Sequence, residues 1–137
     1  MKPILSIDYG KVKIGLAISD ELRLLAHPLK VIKNNPAVID EIVDIIIKYN
    51  VEKVIVGIPY WDKPMDIVDE IKSFAEKIKS RLNIEVILVN EFYSTKIAQQ
   101  KLVSIGKKLK KYKKKLDTYA ACVILQDYLD TIERKEV

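Results

Sequence analysis

The sequence predicts an α/β fold: a mixed five-stranded sheet with helices on both faces. Three observations lead to this prediction. The N-terminal part holds three extended apolar segments joined by turns, which is typical of antiparallel strands. From residue 36 onwards, segments with helical spacing alternate with short apolar runs, which is typical of parallel strands linked by helices. The length of 137 residues predicts a single domain spanning residues 1–137.

The three N-terminal strands are predicted at residues 3–9, 12–19 and 24–33. The first two form a hairpin whose turn contains Gly10, and we expect this glycine to supply a positive φ. Pro28 lies inside the third strand, where it lacks a backbone N–H group for a neighbouring strand. It therefore predicts an edge strand or a β-bulge.

The remaining elements alternate between helix and strand. Pro36 suits the first turn of a helix, and the nearly continuous apolar run at residues 54–58 predicts a central parallel strand covered on both faces. The predicted elements are a helix from 36 to about 50, a strand at 51–58, a helix from 65 to about 81, a strand at 84–90, a helix from about 95 to 105 and a last helix from 116 to about 133.

The composition narrows the class of protein. The formal net charge is +5, and residues 107–115 contain seven lysines without an acidic residue, so this segment favours polyanions. The single cysteine, Cys122, excludes an intrachain disulfide and is expected to be a buried apolar residue. No apolar run approaches the ~20 residues of a membrane-spanning helix, and no signal peptide is recognisable. We therefore expect a cytoplasmic protein without membrane contact.

Three acidic residues occupy ends of predicted elements. Asp8 ends the first strand, Glu91 follows the strand at 84–90, and Asp117 opens the last helix. Together with the lysine-rich segment, they predict a metal-dependent site that acts on phosphodiesters, because hard ions such as Mg²⁺ or Mn²⁺ take oxygen ligands. Each acid also has a structural interpretation: a turn residue for Asp8, a solvated loop residue for Glu91 and a helix cap for Asp117. Asp20 is expected to be a turn residue.

Four blocks of the chain resemble the YqgF-type, RuvX-like family, which has the ribonuclease H-like fold. The family's motifs DxG…(R/K)IGxAxSD, VGLP, DERxTTxxA and (I/L)DxxAAxxILQxYL are similar to residues 7–20, 56–59, 90–98 and 116–129, in that order. Asn90 and Phe92 stand where the family usually has Asp and Arg. The resemblance covers nearly the whole chain.

This resemblance implies a nuclease. The family's members are described as pre-16S rRNA nucleases or Holliday junction resolvases, and the resemblance favours cleavage at the 5′ end of pre-16S rRNA in ribosome biogenesis. It implies that Asp8, Glu91 and Asp117 are the catalytic, metal-binding residues, with Mg²⁺ or Mn²⁺ as cofactor. The partner is then precursor rRNA or branched DNA, and a monomer and a homodimer both remain open. The residues expected to bind nucleic acid are Lys13, Ser94, Thr95, Lys107, Lys108, Lys110, Lys111, Lys113 and Lys114.

Two other functions compete with the nuclease. A nucleic-acid-binding ribosome-assembly factor with an inactive site would show salt-sensitive binding without metal-dependent turnover. A phosphotransferase of the actin and sugar-kinase type also carries Asp-x-Gly in its first hairpin, but such proteins close two lobes over ATP, and this chain is long enough for one. The sequence does not choose between RNA and DNA.

Overall fold

The computed structural model describes residues 2–58, 65–90 and 118–131. Within these ranges the chain forms five strands and three helices. In chain order they are β1 (Ile4–Asp8), β2 (Lys13–Ser19), β3 (Ala26–Lys33), α1 (Val38–Tyr49), β4 (Lys53–Ile58), α2 (Met65–Leu82), β5 (Glu85–Asn90) and α3 (Tyr119–Thr131). The predicted helix at about 95–105 lies outside the described residues.

The five strands form one mixed sheet in the order β3-β2-β1-β4-β5. β2 pairs antiparallel with both β1 and β3, whereas β4 pairs parallel with both β1 and β5. Three antiparallel strands followed by parallel strands is the predicted arrangement, which is therefore confirmed. The carboxyl ends of β1, β4 and β5 consequently lie together at one end of the strands. We call this side of the sheet the Asp8 edge, as distinct from the outer strands β3 and β5.

Helices cover both faces of the sheet, as predicted. One apolar core joins α1 and α2 to side chains such as Leu5, Ile7 and Val56. A second core joins α3 to the opposite face, where it contacts Ile4 and Ile55. The two faces follow from the alternation of side chains along each strand.

The edge strand β3 contains a bulge beside Pro28. Leu16 pairs with Lys30 while Ala17 pairs with Pro28, so Leu29 is an extra residue on β3. This arrangement tolerates a proline because an edge position and a bulge each remove the need for a paired N–H group. The prediction for Pro28 is confirmed.

Three predicted element starts are wrong by two residues. Strand β4 begins at Lys53 rather than at residue 51, because the Val51 N–H donates back to the Ile46 carbonyl of α1 at 3.0 Å. Helix α1 begins at Val38 rather than Pro36 because Asn35 makes a separate turn: its side-chain oxygen accepts from the Ala37 N–H at 3.0 Å and its carbonyl accepts from the Val38 N–H at 3.0 Å. Strand β3 begins at residue 26 rather than 24 because the N–H groups of residues 24 and 25 donate to the carboxylate of Asp20. Asp20 is thus the turn residue that the sequence predicted.

The expected reason for Gly10 is also wrong. No glycine among the described residues has a positive φ. A Cβ atom on Gly10 would instead lie 2.3 Å from the backbone oxygen of Lys13. Close approach across the hairpin turn, rather than an unusual backbone conformation, is what requires glycine here.

Two expectations from composition can be compared with the fold. Cys122 is buried in the core beneath α3, as predicted. In the parts of the chain that the structure describes, none of the helices combines the length and apolar character needed to cross a membrane.

Candidate active site

Asp8 is the last residue of β1, in the middle of the sheet and at the edge where the parallel strands end. Its neighbour across the hairpin is Gly15, which has no side chain to crowd the carboxyl group. Burial raises the pKa of the Asp8 carboxyl above its ordinary value. A carboxylate partly withdrawn from water in this way is stabilised as an anion by a bound cation, so its environment suits a metal ligand.

The turn that follows Asp8 is fixed on both sides. The Tyr9 hydroxyl donates to the Glu70 carboxylate at 2.5 Å, and the Tyr9 ring meets the Phe74 ring edge to face at 4.9 Å. Burial and this hydrogen bond raise the pKa of Tyr9, so its hydroxyl stays protonated as a donor. Asn34 holds the other side, because its side-chain amide donates to the Gly10 carbonyl at 2.8 Å. Asp8 therefore leads into an ordered turn.

Helix α3 runs antiparallel to β1 across one face of the sheet. Near its start, the Ala121 carbonyl accepts from the buried Ser6 hydroxyl at 2.9 Å. Near its end, the Tyr128 hydroxyl lies 3.1 Å from the ammonium of Lys53, which pairs in register with Ile4. The helix therefore begins at the Asp8 end of β1.

Ser6 is a residue of this site region that sequence reasoning missed. It is fully buried and lies two positions before Asp8, so both side chains point to the face that α3 covers. Its hydroxyl joins the Asp8 strand directly to the first turn of α3. The sequence pattern that could have identified Ser6 is a polar residue within an apolar strand, two positions before Asp8 and therefore on the same face.

The edge of the sheet also includes the end of β5. Asn90 is its last residue and pairs in register with Ile58 of β4. Since β4 and β5 are parallel to β1, Asn90 lies at the same edge of the sheet as Asp8. Glu91 is the next residue in the sequence.

Lys13 is the first residue of β2 and is exposed. It lies two positions before Gly15, the residue opposite Asp8, and therefore on the same face of the sheet. Among the predicted nucleic-acid-binding residues, Lys13 is the one whose surroundings are described. The structure brings it to the Asp8 edge of the sheet.

The other predicted site residues lie outside the described ranges. They are Glu91, Asp117, Ser94, Thr95, Lys107, Lys108, Lys110, Lys111, Lys113 and Lys114. Within residues 2–58, 65–90 and 118–131, no three His, Cys, Asp or Glu side chains form a group able to hold a metal ion. Asp8 is thus the described member of the predicted triad, and the triad itself stays a prediction.

Comparison with known proteins identifies the family. The model of the RuvX family, described as Holliday junction resolvase, matches residues 2–131. A protein of Caldicellulosiruptor bescii is 39% identical over 132 residues, covering 93% of this chain and 95% of that protein. A protein of Sulfurihydrogenibium sp. is 35% identical over 136 residues, covering 96% and 92%. Both relatives bear the name "Putative pre-16S rRNA nuclease".

Solved structures of resolvases share the fold. RuvC of T. thermophilus, in complex with a Holliday junction substrate, aligns with a TM-score of 0.71 at 12% identity, covering 98% of this chain and 97% of that one. The fowlpox virus resolvase, in complex with Holliday junction DNA, aligns with a TM-score of 0.57 at 18% identity, covering 95% and 98%. These likenesses support the predicted ribonuclease H-like architecture. From the family match and the curated relatives, the chain belongs to the RuvX family.

Proposed function

We propose that this protein is an endonuclease that hydrolyses phosphodiester bonds in structured nucleic acid and matures the 5′ end of pre-16S rRNA in the cytoplasm. The observation that carries the proposal is the position of Asp8: a partly buried carboxyl group at the carboxyl end of the central strand. The names of the 35–39% identical relatives favour precursor rRNA as the substrate.

Glu91 and Asp117 complete the site in this proposal. Glu91 follows Asn90, which ends β5 at the Asp8 edge of the sheet. Asp117 precedes Thr118, and the start of α3 faces the same edge through the contact between Ser6 and Ala121. Sequence adjacency to these two described positions supports the grouping.

The three carboxylates would hold Mg²⁺ or Mn²⁺, since an all-oxygen donor set suits hard divalent ions. Such an ion, when bound, activates water and stabilises the leaving oxygen of a phosphodiester. The task of Asp8 is to present a fixed carboxylate, and the ordered turn at Tyr9 and Gly10 limits its movement. The lysines of residues 107–115, together with Lys13, Ser94 and Thr95, would hold the nucleic-acid backbone.

The decisive experiment replaces Asp8 by Asn and measures cleavage of 5′-labelled precursor 16S rRNA with Mg²⁺, Mn²⁺ or EDTA. We expect at least ~100-fold slower cleavage, because the amide removes the anionic ligand while keeping the side-chain shape. The matched control is Asp44→Asn, which alters an exposed acid of α1 on the opposite face of the sheet. Native-rate cleavage by Asp8→Asn would contradict the assignment of the site.

A second candidate is resolution of Holliday junctions, which the description of the matching family favours. Parallel assays of the native chain on precursor rRNA and on a four-way DNA junction separate the two functions. We expect faster cleavage of the rRNA, whereas symmetric cuts in the junction alone would favour the resolvase. Salt-sensitive binding without metal-dependent cleavage of either substrate would instead support an inactive assembly factor.

A further inference from the structure

Lys33, the last residue of β3, stands directly opposite Lys13 of β2. Both side chains are exposed. Two lysines at directly opposed positions of neighbouring strands concentrate positive charge at one place on the sheet. An anion between the two ammonium groups would be attracted to both of them.

The pair lies beside Asp8. Gly15 is opposite Asp8, and Lys13 lies two residues before Gly15 in β2, so the lysine pair occupies the next row on the same face of the sheet. The spacing between such rows is about 7 Å along the strands. Lys11, an exposed residue of the β1–β2 turn, adds a third positive charge at this edge.

Lys30 of the same strand has different surroundings. Its side chain points to the opposite face, where its ammonium pairs with Glu41 of α1 at 3.4 Å. Lys33, by contrast, has no acidic partner among the residues that the structure describes. A structural ion pair therefore accounts for one lysine of β3 but not for the other.

We propose that Lys33 and Lys13 together bind a backbone phosphate of the nucleic acid, next to the phosphodiester that is cleaved at the Asp8 site. The inference rests on the proposed function and adds Lys33 to the binding surface. Lysines on two paired strands approach one phosphate from two sides, and both contacts release counterions on binding. Because the two rows are about 7 Å apart, the phosphate bound by the lysines is a neighbour of the scissile phosphate and not the scissile phosphate itself.

The test measures binding in EDTA, with fluorescently labelled precursor 16S rRNA and the full chain carrying Asp8→Asn, so that no cleavage is needed. In this background Lys33→Gln is compared with Lys30→Gln, the same substitution three residues earlier on the opposite face. We expect Lys33→Gln to weaken binding about 3- to 10-fold and to reduce the slope of log Kd against log salt by about one. Lys30→Gln should leave both quantities unchanged.

The Tm of the Lys33→Gln variant should stay close to that of its parent, since Lys33 is exposed and the substitution removes no buried contact. Equal affinities and equal salt slopes for the two variants would overturn the inference. If the native chain cleaves rRNA but Lys33→Gln binds like Lys30→Gln, this inference alone fails. If no cleavage occurs but the Lys33 effect is present, the proposed function fails and the phosphate site remains.

Discussion

The face of the sheet beneath α1 and α2 is packed with aliphatic side chains, whereas the face beneath α3 combines small residues with buried polar groups. The first face contains Leu5, Ile7 and Ile14 against the isoleucines of the two helices. The second contains Ala17 and Ala26, along with buried polar side chains that include Ser6, Ser19 and Gln126. The two faces therefore rely on different interactions.

The polar groups on the α3 face make directional contacts. The Gln126 side chain accepts from the Ala26 N–H at 2.9 Å and donates to the Leu24 carbonyl at 3.0 Å, which ties α3 to β3. The Ser6 hydroxyl ties the same helix to β1. Apolar packing resists separation but tolerates small slides, whereas hydrogen bonds fix the register. The face with fixed register is the one that carries Asp8.

The largest effect on stability is expected from the aliphatic face. Ile71→Ala removes a side chain of α2 that is 1% exposed and should lower the free energy of unfolding by about 2–5 kcal/mol. Urea denaturation measures this loss. Because the substitution leaves the α3 contacts intact, cleavage per folded molecule should stay near the native value at 20 °C, a temperature chosen to keep the variant folded. A large loss of cleavage in fully folded protein would contradict the separation of the two faces.

A smaller effect of opposite sign is expected at Asp8. Since burial raises the pKa of Asp8, its ionised form is unfavourable in the folded chain at neutral pH, and Asp8→Asn should stabilise the protein by ~0.5–2 kcal/mol. Below the raised pKa the native chain binds a proton on folding and recovers stability. The advantage of Asp8→Asn should therefore shrink as the pH falls towards the ordinary pKa of 3.8.

Thermal denaturation from pH 7.5 to pH 4.5, without divalent ions, follows this difference. Added Mg²⁺ should raise the Tm of the native chain more than that of Asp8→Asn, because binding to the folded state alone stabilises it. An advantage of Asp8→Asn that grows as the pH falls would be contrary to the direction of the pKa shift.

The smallest effect on stability is expected from Ser6→Ala, which removes one buried hydrogen bond and should lower the free energy of unfolding by about 0.5–1.5 kcal/mol. Its effect on cleavage should be larger than that of Ile71→Ala, since Ser6 links the Asp8 strand to the start of α3. The sensitive measurement is the Mg²⁺ concentration for half-maximal cleavage, which should rise. An unchanged Mg²⁺ dependence would mean that Ser6 contributes to stability alone.

The sequence was a good guide to features that depend on near neighbours. The strands, the two helices on the aliphatic face and the final helix follow from side-chain periods of two or about 3.6 residues, which are local properties. Pro28 predicted its edge position because a missing N–H group is also a local property. Asp20 predicted a turn for the same kind of reason, since its carboxylate bonds N–H groups four and five residues ahead.

Other errors occurred where a specific contact between atoms decides the role of a residue. Gly10 is required by the approach of the Lys13 carbonyl rather than by its own φ. The role of Ser6 depends on Ala121, 115 residues away in the sequence. The residues next to Gly10 and Ser6 in the sequence do not predict which atom each of them contacts.

The sequence by itself determined the family, the order of the elements and the presence of Asp8 at a strand end, because motifs and periodicity are written in consecutive residues. The tertiary structure decided which side chains share the Asp8 edge. That depends on strand register. Lys33 is opposite Lys13 in the part of β3 that follows the bulge, and the bulge at Leu29 shifts the pairing of the preceding part by one residue. A one-residue change in register moves a side chain to the other face of the sheet, so it cannot be read from periodicity alone.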